Sequence, residues 1–241
     1  MHSVFLNVDG AIFSDVTLGS GVGPATRPYV GFGVAFFVYD NDTDLDMAIA
    51  NGHLMANASS LRGGGTFAQR NLLLRNSNGR FENVTNQAGP GFSIELVSRS
   101  LATGDVDNDG DLDLLITNNG AGVNLLLNGD VAGRPDAKTA ARANALLVRV
   151  IGTKSNRSGI GTRLTLTTGG RRQLREVQSG SSYLTQNDLR AHFGLGAANR
   201  SERLAIRWPG GATEVVEDIP ANHVITVREG EGIVGRVPFT R

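Results

Sequence analysis

The segment Gly104 to Leu115, GDVDNDGDLDLL, places Asp105, Asp107, Asp109, Asp111 and Asp113 at every second position, directly ahead of an apolar run. In a plain strand the two-residue period would turn all five carboxylates to one face, where like charges repel. Two readings survive: a solvated acidic turn, or a loop that folds its oxygens around a hard cation. Calcium takes roughly six to eight oxygens, and loops that hold it commonly use side chains at relative positions 1, 3 and 5, a glycine at 6, a carbonyl at 7 and a ligand at 9. Asp105, Asp107, Asp109, Gly110, Asp111 and Asp113 follow that order. Gly110 falls where the sharp turn needs a conformation most easily met by glycine. An EF-hand would continue to a glutamate at position 12, but Ile116 stands there, and Leu114 to Thr117 reads as a strand. The pattern is that of a cation loop set between strands.

The elements that position this loop are visible as an internal repeat. YDNDTDLDMAIANG, from Tyr39, aligns with VDNDGDLDLLITNN, from Val106, at a constant offset of 67 residues. RNLLLRNSNGRFENVT, from Arg70, resembles the opening FLNVDGAIFSDVT, and NLLLNG from Asn124 echoes it again. Each unit reads as a strand, an acidic loop, an apolar strand, a connection, and a Leu-rich strand turning at Asn-Gly or Asp-Gly. That is about one four-stranded propeller blade per repeat. The first copy is degenerate: Asp40, Asp42, Asp44 and Asp46 remain, but Val38 replaces the first acid and Thr43 the turn glycine. Losing a charged ligand and the glycine weakens a calcium site.

The acidic loops and Leu-Leu-Leu-x-Asn strands resemble FG-GAP or VCBS repeats, which implies blades of a β-propeller and Ca2+ in the loop. On that resemblance Asp105, Asp107, Asp109 and Asp113 are side-chain ligands, and Asp111 offers its carbonyl. NALLVRVIGTKSNRSGIGTRLTL, EVQSGSSYLTQNDLRAHFGLG and RWPGG, in that order, resemble the ASPIC/UnbV domain of cartilage acidic protein-like and bacterial secreted proteins. The residues of that region also read as all-β, with Leu164 and Leu166 alternating before Gly169-Gly170, and Leu204, Ile206 and Trp208 before Pro209-Gly210-Gly211.

Composition agrees with this organisation. A hydrophobic share of 40% supplies real cores, while 32 glycines and 6% aromatics suit short strands and many turns. The absence of cysteine excludes disulfides and thiolate metal sites. Residues 1–143 hold 9 Lys+Arg and 15 Asp+Glu, or −6, leaving 14 and 8, or +6, for residues 144–241. The basic half lacks aromatic interleaving, so nucleic acid is not expected. No apolar run is long enough for a membrane span, and MHSVFLNVDG lacks a signal-peptide layout. The expectation is a piece of a longer extracellular or periplasmic parent.

The expected architecture is all-β: a partial β-propeller of about two blades at residues 1–133, a linker at 134–143, a small antiparallel β domain at 144–230, and a tail at 231–241. The two folded units are expected to be independent, with calcium stabilising only the first. Tyr183, Gln186 and Asn187, together with Arg171, Arg172 and Arg175, are candidate recognition residues. His2, His53, His192 and His223 lack metal spacing, and no nucleophile elbow or phosphate loop is present. The expected role is therefore non-enzymatic: calcium-supported extracellular recognition or adhesion of a protein or glycan, with self-association through open propeller edges. The alternatives are an enzyme or accessory factor in a biosynthetic or polysaccharide-processing system, suggested by the UnbV name, and an inactive structural fragment.

Overall fold

A computed structural model of the protein describes residues 1–60, 65–129 and 143–240. The expected linker at 134–143 therefore lies outside the described residues except for Ala143.

The chain opens with a hairpin of β1 (Phe5–Val8) and β2 (Ile12–Asp15), which pair only with each other, and a short helix α1 (Val22–Thr26) follows. The first blade contains β3 (Gly31–Phe37) and β4 (Asp46–Asn51). A two-residue strand, β5 (Gln69–Arg70), precedes the outer strands β6 (Leu72–Ser77) and β7 (Arg80–Asn83), giving the antiparallel order β3-β4-β6-β7. Strand β4 is buried at every residue, as a central strand covered on both faces must be. After β8 (Glu95–Leu96), which pairs with β5, the second blade is formed by β9 (Ser98–Gly104), β10 (Asp113–Asn118) and β11 (Ala121–Leu126). The bounds of β9 and β10 are those of β3 and β4 shifted by the 67-residue offset, so the repeat read in the sequence is a structural repeat.

The blades pack through one core, with Ala35, Phe37, Ala48 and Leu73 from the first and Leu101, Leu112, Leu114 and Ile116 from the second. Their inner strands approach closely at Gly33, where a Cβ would sit 2.7 Å from the backbone nitrogen of Leu101. Any larger residue there would push the blades apart.

The C-terminal unit is a sandwich of two four-stranded sheets. Its strands are β12 (Asn144–Ile151), β13 (Arg163–Thr168), β14 (Arg171–Glu176), β15 (Ala191–Gly196), β16 (Arg200–Arg207), β17 (Thr213–Pro220), β18 (His223–Arg228) and β19 (Gly232–Pro238). They are ordered β15-β12-β18-β19 and β14-β13-β16-β17. Leu146, Leu164, Phe193, Leu204, Trp208 and Ile225 are among the side chains that close the core between them. All pairings are antiparallel except β12 with β18, which run parallel. The residues expected to form a tail instead form β19, an edge strand paired with β18, because its backbone completes a sheet that burial alone does not advertise.

Candidate metal centre

The second acidic loop joins β9 to β10 and is held by its own backbone. Asp105 accepts hydrogen bonds from the backbone N–H groups of Asp109 at 3.1 Å and Gly110 at 3.1 Å, one on each carboxylate oxygen. Asp107 accepts a further bond from the Asp109 N–H, and Asp109 one from Asp111. Gly110 adopts φ +93°, the left-handed conformation that the sequence position requires. The result gathers Asp105, Asp107 and Asp109, with a carboxylate oxygen of each lying within 4.8 Å of the others.

Asp113 has a different place. Its two oxygens accept the N–H groups of Val106 and Asn128, both at 2.8 Å, so it ties the start of the loop to the chain beyond β11. Asp46 repeats this in the first blade, accepting from Tyr39 and Asn76. Asp111 is buried and accepts a hydrogen bond from Asn41 of the first loop.

In the first loop Asp40, Asp42 and Asp46 also converge within 4.8 Å. Thr43 is driven to φ +89°, where Gly110 sits in the other copy, and Val38 cannot provide the two acceptors that Asp105 does. Asp44 stands apart, receiving the backbone N–H of Asn78 and an ion pair from Arg171 at 3.3 Å.

Burial raises the pKa values of Asp40, Asp46, Asp105 and Asp113. Desolvation pushes Asp105 up to about 6, against the opposing pull of the Gly110 N–H and the Arg190 charge. It raises Asp113 as well, and pushes Asp46 up to about 7. In Asp40 desolvation is joined by repulsion from Asp42. A divalent ion would reverse this balance. The donors are all hard oxygens on a sharply turned loop, a set that suits calcium, and Asp105, Asp107 and Asp109 are the residues that would hold it.

The loop is not an exposed appendage. The C-terminal sandwich covers it: Arg190 donates to the Asn108 side chain at 2.6 Å and to the Asp105 carbonyl at 2.7 Å. His192 Nε2 meets the Gly110 carbonyl at 3.1 Å, which fixes the proton on that nitrogen, and burial holds the imidazole down to about 4. The Thr240 hydroxyl donates to the carbonyls of Asp107 and Asn108. A Cβ on Gly110 would stand 2.3 Å from the Phe239 ring. The first loop is covered as well, since Gly196 N–H donates to the Asn41 carbonyl and Gly194 leaves no room for a Cβ beside Asn41.

The candidate recognition residues are dispersed over this interface. Tyr183 packs edge-on against Phe32 at 5.3 Å, and Asn187 accepts the Thr103 N–H. Gln186 is spent within its own loop, bonding Gly180, Gln178 and Asn187. Arg171 reaches Thr43 and Asp44, Arg172 is exposed on β14, and Arg175 turns inward over Phe193. Arg190, Asn41, Phe239 and Thr240 were not legible as site residues. Of these only Asn41 carries a local signal, matching Asn108 in the repeat, and both take a left-handed φ near +60°.

Blades with acidic loops between their inner strands, followed by a β-sandwich, define an all-β repeat protein with a partial propeller. Residues 39–116 match the FG-GAP-like repeat family, 98–135 the FG-GAP repeat, and 152–234 the family described as ASPIC and UnbV. The chain is an FG-GAP repeat protein with a C-terminal ASPIC/UnbV domain. Among curated proteins no sequence matches it closely enough to count as a relative.

Proposed function

We propose that this chain is a calcium-supported recognition module, acting outside the cytoplasm by binding rather than by catalysis. The observation that carries the reading is the convergence of Asp105, Asp107 and Asp109 beneath a lid made by Arg190, Phe239 and Thr240. Calcium at these three residues supplies positive charge to a buried acidic loop and stiffens it. The chain's own residues then do the mechanical work: Asp105 organises the loop backbone, Asp113 anchors it to the second blade, and Arg190 locks it to the sandwich.

The partner class is a protein or a glycan. The family matches support a repeat scaffold of the kind typically found outside the cell or in the periplasm. No helix among the described residues is long and apolar enough to cross a membrane. Isothermal titration with calcium tests the metal assignment. The expected result is saturable heat with a Kd of roughly 10⁻⁴ M or tighter, abolished by Asp109→Ala. Equal heats from both proteins, or none from the wild type, would remove calcium from the account.

A further inference from the structure

Between the blades and the sandwich lies a cavity of about 230 Å³, part of whose polar lining has no partner among the described residues. One wall comes from Phe36, Phe37 and Leu112 of the blades, and the other from β14 and the segment leading into β15. Arg175 lines it. Its three hydrogen bonds go to neutral acceptors, the His192 carbonyl, the Leu174 carbonyl and the Gln173 side-chain oxygen, while the carboxylates on the lining, Glu176 and Asp188, pair with Arg163 and Arg190. One N–H on each terminal guanidinium nitrogen remains after these bonds.

Two further polar atoms at the cavity have no partner among the described residues. His192 is 5% exposed and lines the cavity, and with its proton held at Nε2 by Gly110, its Nδ1 is a buried acceptor lone pair. The Ser181 hydroxyl, also on the lining, is buried and unbonded. Buried polar atoms are ordinarily satisfied, and a partly buried guanidinium gains from an anion. Here residues carrying a cation, an acceptor and a hydroxyl line one small space.

We propose that this cavity binds a small hydroxycarboxylate of monosaccharide size, such as a uronate. The carboxylate takes the free fork of Arg175, a ligand hydroxyl donates to His192 Nδ1, and Ser181 bonds a second oxygen. Phe36 and Leu112 cover the apolar face of the ring. The proposal deepens the recognition reading by naming a ligand class, and it does not depend on the metal.

The test is a titration of the full chain with D-glucuronate in calcium-free buffer, read by calorimetry and by chemical-shift change, with glucose and inorganic phosphate as comparison ligands. A ligand of this size corresponds to a Kd of order ~1 mM. Glucuronate binding that is at least about 10-fold weaker in Arg175→Gln, with no response to glucose, is expected. Should that variant fold poorly, Leu189→Trp fills the cavity from its half-exposed rim without altering Arg175, and it should also abolish binding. Absence of saturation by glucuronate overturns the proposal. So does binding that survives Leu189→Trp, which places the ligand elsewhere, and phosphate binding of equal strength, which makes the site a general anion trap. Calcium titration of the same sample separates this failure from failure of the metal assignment.

Discussion

Asn41 Nδ2 donates to Asp111 Oδ1 at 2.7 Å, and both side chains are buried, so residues 70 apart in sequence join the two acidic loops into one unit. The amide presents a donor to a carboxylate that has left water. Replacing Asn41 by Ala takes that donor away from the carboxylate. The expected cost is about 2 kcal/mol, in the range of hydrogen bonds to charged groups. Urea denaturation of Asn41→Ala against wild type measures it, and a change under a few tenths would mean that water replaces the amide.

Calcium is expected to stabilise the whole molecule as one cooperative transition. This revises the expectation of two independent units, because the sandwich touches the loop through Arg190, His192, Phe239 and Thr240. At a calcium concentration near 100 times Kd, mass action contributes roughly 2.7 kcal/mol. Phe239→Ala removes the ring that lies on Gly110, and it should lower both the melting temperature and the calcium affinity. Calorimetric melts with calcium and with chelator check both effects. Two transitions, only one of them calcium-sensitive, would restore independent units.

How much of this was legible follows from the range of each interaction. The left-handed turn at Gly110 and the acid spacing around it are local, so the sequence pattern carried both. The repeat offset located β9 and β10 because each blade must solve the same packing problem. The lid was hidden. Arg190 meets Asn108 across 82 residues and Thr240 meets Asp107 across 133, and neither contact leaves a periodic trace. Strand β19 was hidden for another reason: Ile233, Val234 and Val237 do not alternate strictly, and as an edge strand it is mostly exposed. The parallel pairing of β12 with β18 is likewise a long-range choice between strands that look alike.

At the equivalent positions Gly110 and Thr43, adding a side chain to the first should destabilise and removing one from the second should stabilise. Gly110→Ala forces a side chain into φ +93° and into the Phe239 ring, with an expected loss of at least about 2 kcal/mol. Thr43 already holds φ +89° as a β-branched residue. Thr43→Gly relieves that strain and loses only an exposed bond from Arg171, for an expected gain of about 1 kcal/mol. Parallel thermal melts decide the matter, and a destabilised Thr43→Gly would show that the Arg171 contact outweighs backbone strain.

Acid should loosen the sandwich at a definite place. The Glu229 carboxylate accepts the backbone N–H groups of Thr153, Lys154 and Ser155 and the Ser155 hydroxyl, and these bonds, led by Ser155, lower its pKa to about 2. A depressed folded value means the stabilisation is fully present above the ordinary carboxylate value near 4.5 and fades as pH falls from there towards 2. Glu229→Gln should therefore lose stability at neutral pH and show a smaller further loss across that acid window. Melting temperatures from pH 7 to pH 2 test it, and parallel curves for the two proteins would assign the acid sensitivity to other groups.

The β1–β2 hairpin should drive self-association. It pairs with no other strand among the described residues, and a two-stranded ribbon is weakly stable alone. Phe5, Ile12 and Phe13 are 58%, 63% and 70% exposed, so apolar side chains face water beside unpaired strand edges. Ile12 and Phe13, as consecutive strand residues, project to opposite faces, and charging both covers either docking mode. The wild type should sediment with a concentration-dependent coefficient, and Ile12→Lys with Phe13→Lys should shift it towards monomer without lowering the melting temperature. A wild type that stays monomeric at every concentration would show that the exposed edge is tolerated, because its short strands offer too little backbone to hold a second copy.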